Sequence, residues 1–237
     1  MKLICIPYAG GSATVYYPWK KLIHPSIKVV PLELAGRGER MGQSFYRSIE
    51  ADGTDDLYRS VEKELDGSPI ALFGHSMGTL FAYELAHRIV RETGQPLAHL
   101  FLSGRGAPHT ARSESVIHEL PDPEFQAEVL RLGGTPAELF QHKELSDIYM
   151  PILRSDYRLS ETYRDTGKPD KLDCGITVMR GTQDSYGRTE AEEWNQYVSG
   201  DTRIVEYDGG HFFIHEFRQQ VLSAIHESLL SMRSSQI

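Results

Sequence analysis

Gly74-His75-Ser76-Met77-Gly78 is a G-x-S-x-G pattern between an apolar run ending at Phe73 and a helical pattern reaching about Arg91. In that setting it reads as a nucleophile elbow, a strained strand-to-helix turn that lifts a serine hydroxyl above a sheet. Side chains two residues to either side would collide with the neighbouring strand and helix, which accounts for both glycines. The helix N-terminus favours an anion forming beside the serine. A serine is a weak nucleophile without a base. Of the ten histidines, His211 is the candidate, because Asp208-Gly209-Gly210-His211 directly follows the last β-type run. A glycine-rich loop there can set an imidazole over the sheet edge. His215 falls in the last helical pattern, His75 must point away from Ser76, and His24, His87, His118 and His142 read as ordinary surface histidines. The base needs an acid to hold its ring and stabilise its cation. Asp184, just past the fifth run in Arg180-Gly181-Thr182-Gln183-Asp184, is the candidate. Asp208 is the rival, but three residues before His211 it better suits a turn-capping role.

The anion formed when such a serine attacks a carbonyl needs two preorganised N–H donors. The backbone of Met77 is expected to supply one. The other is expected from Pro7-Tyr8-Ala9-Gly10-Gly11-Ser12, with Ala9 first and Tyr8 as the alternative. Tyr8 and Gly10 are expected to touch substrate, since glycines let that backbone approach closely. A phosphate loop is excluded by the lack of Gly-Lys-Ser/Thr, and metal-ligand clusters and paired CxxC motifs are absent. Cys5 reads as a core residue and Cys174 as an ordinary loop thiol. Met77 and Met150 either line an acyl pocket or pack the interior. Tyr16, Tyr17 and Trp19 either wall the entrance or pack a helix onto the sheet.

Positioning these residues requires a sheet whose loops share one edge. Short apolar runs at Leu3–Ile6, Ile27–Val30, Ile70–Phe73, Leu100–Leu102, Ile176–Met179 and Arg203–Tyr207 read as buried parallel strands. Between them, Leu57, Val61 and Leu65 mark one helix, and Ala82, Leu85, Ala86 and Ile89 another that stops at Gly94. Thr189 with Glu192 reads as a capping box ahead of Trp194, Tyr197 and Val198. Phe217, Val221, Leu222, Ile225 and Leu229 mark the last helix. This alternation predicts an α/β fold with a mainly parallel sheet of about six strands and helices on both faces. In a parallel sheet the loops after strands lie together, so Ser76, Asp184 and His211 should converge.

The stretch from Ser103 to Gly175 breaks the alternation. Asp122 is expected as an N-cap followed by Pro123 at the first helical position, with Gly133-Gly134 as the stop. Thr135-Pro136-Ala137-Glu138 repeats the device. Leu145, Ile148, Tyr149 and Ile152 form a third stripe, bent or interrupted at Pro151. A connection this long usually covers a site, so a helical lid is expected at about 110–165 within a single domain spanning 1–237; the alternative is a stabilising insertion with no part in substrate handling.

The chain has 237 residues, 40% hydrophobic and 24% charged, which excludes a disordered or rod-like protein. Its net charge of −8 comes without a basic block, so nucleic acid is not expected as a partner. No apolar run approaches the ~18 residues of a membrane span, and the start is too short for a signal peptide. A cytoplasmic monomer is expected.

Several segments together resemble the type II thioesterases, discrete editing hydrolases that accompany nonribosomal peptide and polyketide synthases. They are Ile6-Pro7-Tyr8-Ala9-Gly10-Gly11, Pro31-Leu32-Glu33-Leu34-Ala35-Gly36-Arg37-Gly38, the Ser76 elbow, Ser103-Gly104-Arg105-Gly106-Ala107-Pro108, Leu132-Gly133-Gly134-Thr135-Pro136, Leu153-Arg154-Ser155-Asp156-Tyr157 and Gly209-Gly210-His211. The resemblance implies an α/β-hydrolase fold, a helical lid after the fourth strand, and hydrolysis of acyl groups from the phosphopantetheine arms of acyl or peptidyl carrier proteins, with no cofactor or metal of its own. The chain departs from it by starting almost on the first strand and by lacking the first antiparallel strands of larger α/β-hydrolases. An esterase or lipase acting on oxygen esters, a general acyl-coenzyme A thioesterase and a non-catalytic binding module are the alternatives. Given the net charge, carrier recognition is expected to need a local patch, with Arg37, Arg40, Arg105 and Arg112 as candidates.

Overall fold

The computed structural model describes residues 1–109, 116–165, 167, 168 and 170–234, the last four as backbone only. Its strands are β1 (Lys2–Ile6), β2 (Lys28–Pro31), β3 (Ile70–His75), β4 (His99–Ser103), β5 (Gly175–Gly181) and β6 (Thr202–Tyr207). They form one sheet in the order β2-β1-β3-β4-β5-β6, with every neighbouring pair parallel. All six anticipated runs fall on these strands, apart from Ile27, which lies one residue ahead of β2. The helices are α1 (Trp19–Leu22), α2 (Thr54–Val61), α3 (Met77–Thr93), α4 (Asp122–Leu132), α5 (Glu138–Gln141), α6 (Lys143–Thr162), α7 (Arg188–Glu192), α8 (Phe213–Glu216) and α9 (Arg218–Ser234).

Strand residues alternate between two apolar layers, which is why the inner runs are apolar on both faces, while the edge strands β2 and β6 carry the exposed Lys28, Arg203 and Glu206. Ile4, Ile6, Leu72 and Leu100 face Leu57 of α2 and Leu80 and Leu85 of α3. Leu3, Cys5, Phe73 and Phe101 face Trp19 of α1 and Val221 and Ile225 of α9. Tyr16 and Trp19 are buried against Phe73, edge to face, so they pack a helix onto the sheet; Tyr17 is exposed. Cys5 is fully buried, and Cys174 is buried just ahead of β5.

From β1 the chain goes to one side, to β2, and from β3 to the other, to β4. The direction of winding therefore reverses between β1 and β3, and a crevice opens at their C-terminal ends. The loop carrying Ala9 follows β1 and Ser76 follows β3, so both border it.

Local expectations needed four corrections, the first being that α5 starts at Glu138 with Ala137 as its N-cap, so Thr135 and Pro136 do not repeat the capping device. The N-cap of α4 is Pro121, and Asp122 is already helical, its carboxylate held by Arg154 at 2.6 Å. At α7 the N-cap is Gly187, whose amide donates to the Glu190 carboxylate at 2.9 Å, and Thr189 and Glu192 form no capping box. Helix α6 runs unbroken through Pro151. Pro151 and Asp147 are both exposed, so water can satisfy the Asp147 carbonyl that the proline leaves without a donor.

Helices α4 to α6 occupy the connection between β4 and β5. The first residues of the anticipated lid, 110–115, lie outside the described residues. Ile117, Phe125, Val129 and Leu153 form a small apolar cluster of their own there. Arg154 fastens it, donating to the carbonyls of His118 and Leu120 at 2.5 and 2.8 Å.

Candidate active site

Ser76 has φ 53° and ψ −116°, the positive φ of a non-glycine residue being unique among those described. The surroundings hold that strained turn in place. The Ser76 amide donates to the Ser103 carbonyl of β4 at 2.7 Å, and Thr79 Oγ1 donates to the same carbonyl at 3.0 Å. His75 is buried beneath, with Nδ1 2.8 Å from Ser103 Oγ. Burial pushes its pKa well below that of ordinary imidazole, and the nearby His211 and His215 add to this. A Cβ on Gly74 would lie 2.1 Å from the Gly78 oxygen, and one on Gly78 would lie 2.4 Å from the Ile6 oxygen. The close strand–helix approach thus requires both glycines.

His211 Nε2 lies 2.9 Å from Ser76 Oγ, and His211 Nδ1 lies 2.9 Å from Asp184 Oδ2. A carboxylate only accepts, so Nδ1 carries the proton and Nε2 is left to accept from the serine. The other Asp184 oxygen accepts the Ser185 amide at 2.7 Å, and the carboxylate is almost fully buried. Asp208 is exposed and accepts from Thr182 and Gln183 at 3.3 Å. The structure thus brings Ser76, His211 and Asp184 together in one chain of contacts and leaves Asp208 to the turn. His215 lies in α8, with Nε2 3.0 Å from Tyr8 Oη.

A cavity of about 640 Å³ opens at Ser76 and His211, with Tyr8, Ala9, Arg105 and Tyr157 among its walls. Burial pushes the Tyr8 phenol up to about 12, so it stays protonated. Met77 is the first residue of α3, at the N-terminus facing the serine. Gly10 is turned differently from its expected role: its amide donates to Asp156 Oδ2 at 2.8 Å, and the Gly11 amide donates to the Tyr8 carbonyl at 2.9 Å. Met77 is buried in the core and Met150 packs against the lid cluster. Among the described residues no group of three or more His, Cys, Asp or Glu is set to hold a metal, and no helix is long and apolar enough to cross a membrane.

Of the four arginines expected to serve carrier recognition, three are described, and each has a partner within the chain. Arg37 is buried, its guanidinium paired with Asp156 of α6. Arg40 is paired with Asp56 at 2.8 Å. Arg105 donates to Ser160 Oγ at 2.9 Å from the cavity wall. Arg112 lies outside the described residues. Sequence reasoning assigned no role to Asp156 or to Glu161, which lines the cavity and accepts the amides of Ile117 and His118. A signal for Asp156 existed: it lies on the buried stripe of α6 with Ile152, Leu153 and Leu159, where a carboxylate needs a cationic partner.

A family profile described as "Thioesterase domain" matches residues 1–229. The protein named Linear gramicidin dehydrogenase LgrE of Brevibacillus parabrevis is 35% identical, over 97% of this chain and 88% of that protein. Among solved structures, ClbQ from the colibactin NRPS/PKS pathway superposes with a TM-score of 0.94 at 36% identity, covering 99% of this chain and 98% of that one. The type II thioesterase BorB from the borrelidin biosynthetic cluster gives 0.87 at 36% identity, covering 96% and 92%.

Proposed function

This chain belongs to the thioesterase family, and from that premise we propose that it is a type II thioesterase that clears short or aberrant acyl groups from carrier proteins of a nonribosomal peptide or polyketide synthase. The observation that carries the chemistry is the position of His211, within 2.9 Å of both Ser76 and Asp184. His211 Nε2 takes the hydroxyl proton as Ser76 attacks the thioester carbonyl. Met77 and Ala9 amides hold the tetrahedral anion. The C–S bond breaks, the pantetheine thiolate leaves with the proton from His211, and an acyl-serine remains. Water then attacks that ester, with His211 again as base, and releases the acid. Asp184 holds the Nδ1 side of the ring and stabilises the imidazolium.

The pathways named for ClbQ and BorB support carrier-bound substrates. The dehydrogenase in the gramicidin relative's name is said of that protein; a serine, imidazole and carboxylate in line serve acyl transfer. With Arg37 and Arg40 engaged internally, Arg105 at the cavity wall is the remaining described arginine of the four to test for carrier recognition. The test is steady-state hydrolysis of matched acetyl-carrier protein and acetyl-coenzyme A at equal salt. The expected result is a higher kcat/KM for the carrier, because remote contacts can orient the arm. Equal values would favour a general acyl-thioester hydrolase. Faster turnover of p-nitrophenyl esters than of either would favour an esterase.

A further inference from the structure

We propose that the buried Arg37–Asp156 pair positions the loop carrying the second oxyanion amide, and so governs turnover; this rests on the acyl-transfer reading of Ser76. Three distant segments meet in the pair. Arg37 follows β2, Asp156 lies in the middle of α6, and both hold the loop after β1. The two guanidinium nitrogens reach the two carboxylate oxygens at 2.5 and 2.6 Å. Asp156 Oδ2 also accepts the Gly10 amide at 2.8 Å, and Arg37 Nη1 donates to the Gly11 carbonyl at 3.1 Å. The loop is therefore gripped by one N–H and one C=O immediately after Ala9. On the near side, Tyr16 Oη donates to the Ile6 carbonyl at 2.9 Å. Ala9 sits between these holds, at the cavity wall.

The side chains of the pair are only 4% and 1% exposed. A buried ion pair is poor evidence for stability, because apolar residues of similar size often replace one without loss. What apolar residues cannot do is grip a backbone amide and carbonyl at fixed directions. Gly10 has φ +77°, and a Cβ there would lie 2.5 Å from Leu153 Cδ2. The loop thus presses against the same helix that supplies Asp156. An oxyanion donor acts only at about 2.7–3.1 Å from the anion, and losing one costs about 10²–10³-fold in kcat. Loosening its support should cost part of that.

The experiment measures kcat and KM on an acetyl thioester for Asp156→Asn, Arg37→Lys and the apolar double variant Arg37→Met/Asp156→Leu. Rates are expressed per serine titrated by a fluorophosphonate, so unfolded protein does not count, and thermal midpoints are recorded alongside. The expected result for the double variant is a folded protein with kcat down roughly 10- to 100-fold and KM little changed. Arg37→Lys keeps the charge and should retain more turnover than the double variant. A double variant with wild-type kcat per titrated serine would overturn the proposal. Should that variant be insoluble, Arg37→Lys decides: unchanged kcat overturns it, and a fall in kcat at constant KM and thermal midpoint supports it. Ser76→Ala separates the two levels. If it retains hydrolysis, the site reading fails; if it is inactive while the pair variants turn over normally, only the positioning role fails.

Discussion

Replacing Asp184 by Asn tests the site through one hydrogen bond whose outcome the neighbouring residue dictates. In the native site Asp184 Oδ1 accepts the Ser185 amide at 2.7 Å and Oδ2 faces His211 Nδ1 at 2.9 Å. An asparagine has one acceptor oxygen, and the Ser185 amide claims it. The NH2 group then faces His211 and donates to Nδ1, which moves the imidazole proton to Nε2, where it can no longer accept from Ser76. Turning the amide over would strand the Ser185 amide and set two donors against each other, at a cost of about 1–3 kcal/mol. The imidazolium formed in the transition state also loses its carboxylate, worth up to roughly 4 kcal/mol at this range with a near-surface dielectric. Together these amount to at most about 5–7 kcal/mol, or a loss in kcat of up to roughly 10⁴–10⁵-fold. The assay is release of free thiol from an acetyl thioester, with the circular dichroism spectrum as a check on the fold. Asp208→Asn should lose less than about tenfold, since Asp208 only closes a turn. A variant at Asp184 that keeps more than a tenth of native kcat, or a larger loss at Asp208, would refute the reasoning.

Ser76→Ala should lose roughly 10⁴-fold or more in turnover while folding normally, and His211→Ala should match it because the group acts as a unit; thiol release and fluorophosphonate labelling read both. Gly78→Ala places a methyl 2.4 Å from the Ile6 oxygen, so it should destabilise by about 2 kcal/mol and lower the thermal midpoint by roughly 4–8 °C. Burial, and then the Arg203 charge, lower the pKa of His99 from 6.5 to about 4. The unfolded chain therefore binds a proton that the folded one refuses, and stability should be lost as pH falls from about 6.5 toward 4, by at most roughly 3 kcal/mol from this residue. Urea titrations at pH 8 and 5 should show a smaller difference for His99→Phe than for the native chain, and equal differences would remove His99 as the cause. Hydrogen exchange should open α4 and α5 before β3 and β4, because the small cluster around Phe125 is their main apolar anchor.

The strands and the reacting residues were readable because they rest on local signals. Runs apolar on both faces, as at β1, β3 and β4, read as buried strands, and a parallel sheet puts the loops after β3, β5 and β6 on one edge whatever the helices do. The role of Arg37 was not readable. Flanked by Gly36 and Gly38, a guanidinium looks like a solvated loop residue, and its partner lies 119 positions away. Nothing between the two encodes the contact; it exists only after α6 has folded back over β1. Pro151 misled for the opposite reason. Its local signal is strong, but its effect depends on whether water reaches the Asp147 carbonyl, which is a property of the surface. The caps at Pro121 and Gly187 shifted by one or two positions because backbone dihedrals, which propensity only biases, decide where a helix starts.

Ser103 closes β4, fixes the Ser76 turn from the adjacent strand, and is then the point of departure for the long helical excursion. The nucleophile is therefore locked by residues that precede the excursion in the chain, and the sheet resumes at Gly175 in register with His99. For protein engineering this makes the stretch between the two an exchangeable cassette. Foreign helices spliced after Gly104 and rejoined at Gly175 would inherit a serine already in its strained geometry, so acyl preference could be varied without rebuilding the elbow. The cassette has entry requirements: an acidic side chain presented where Asp156 stands, because Arg37 remains in the host and would otherwise be a buried cation with no counterion, and partners for the buried Glu84, which Tyr163 and Lys168 supply here.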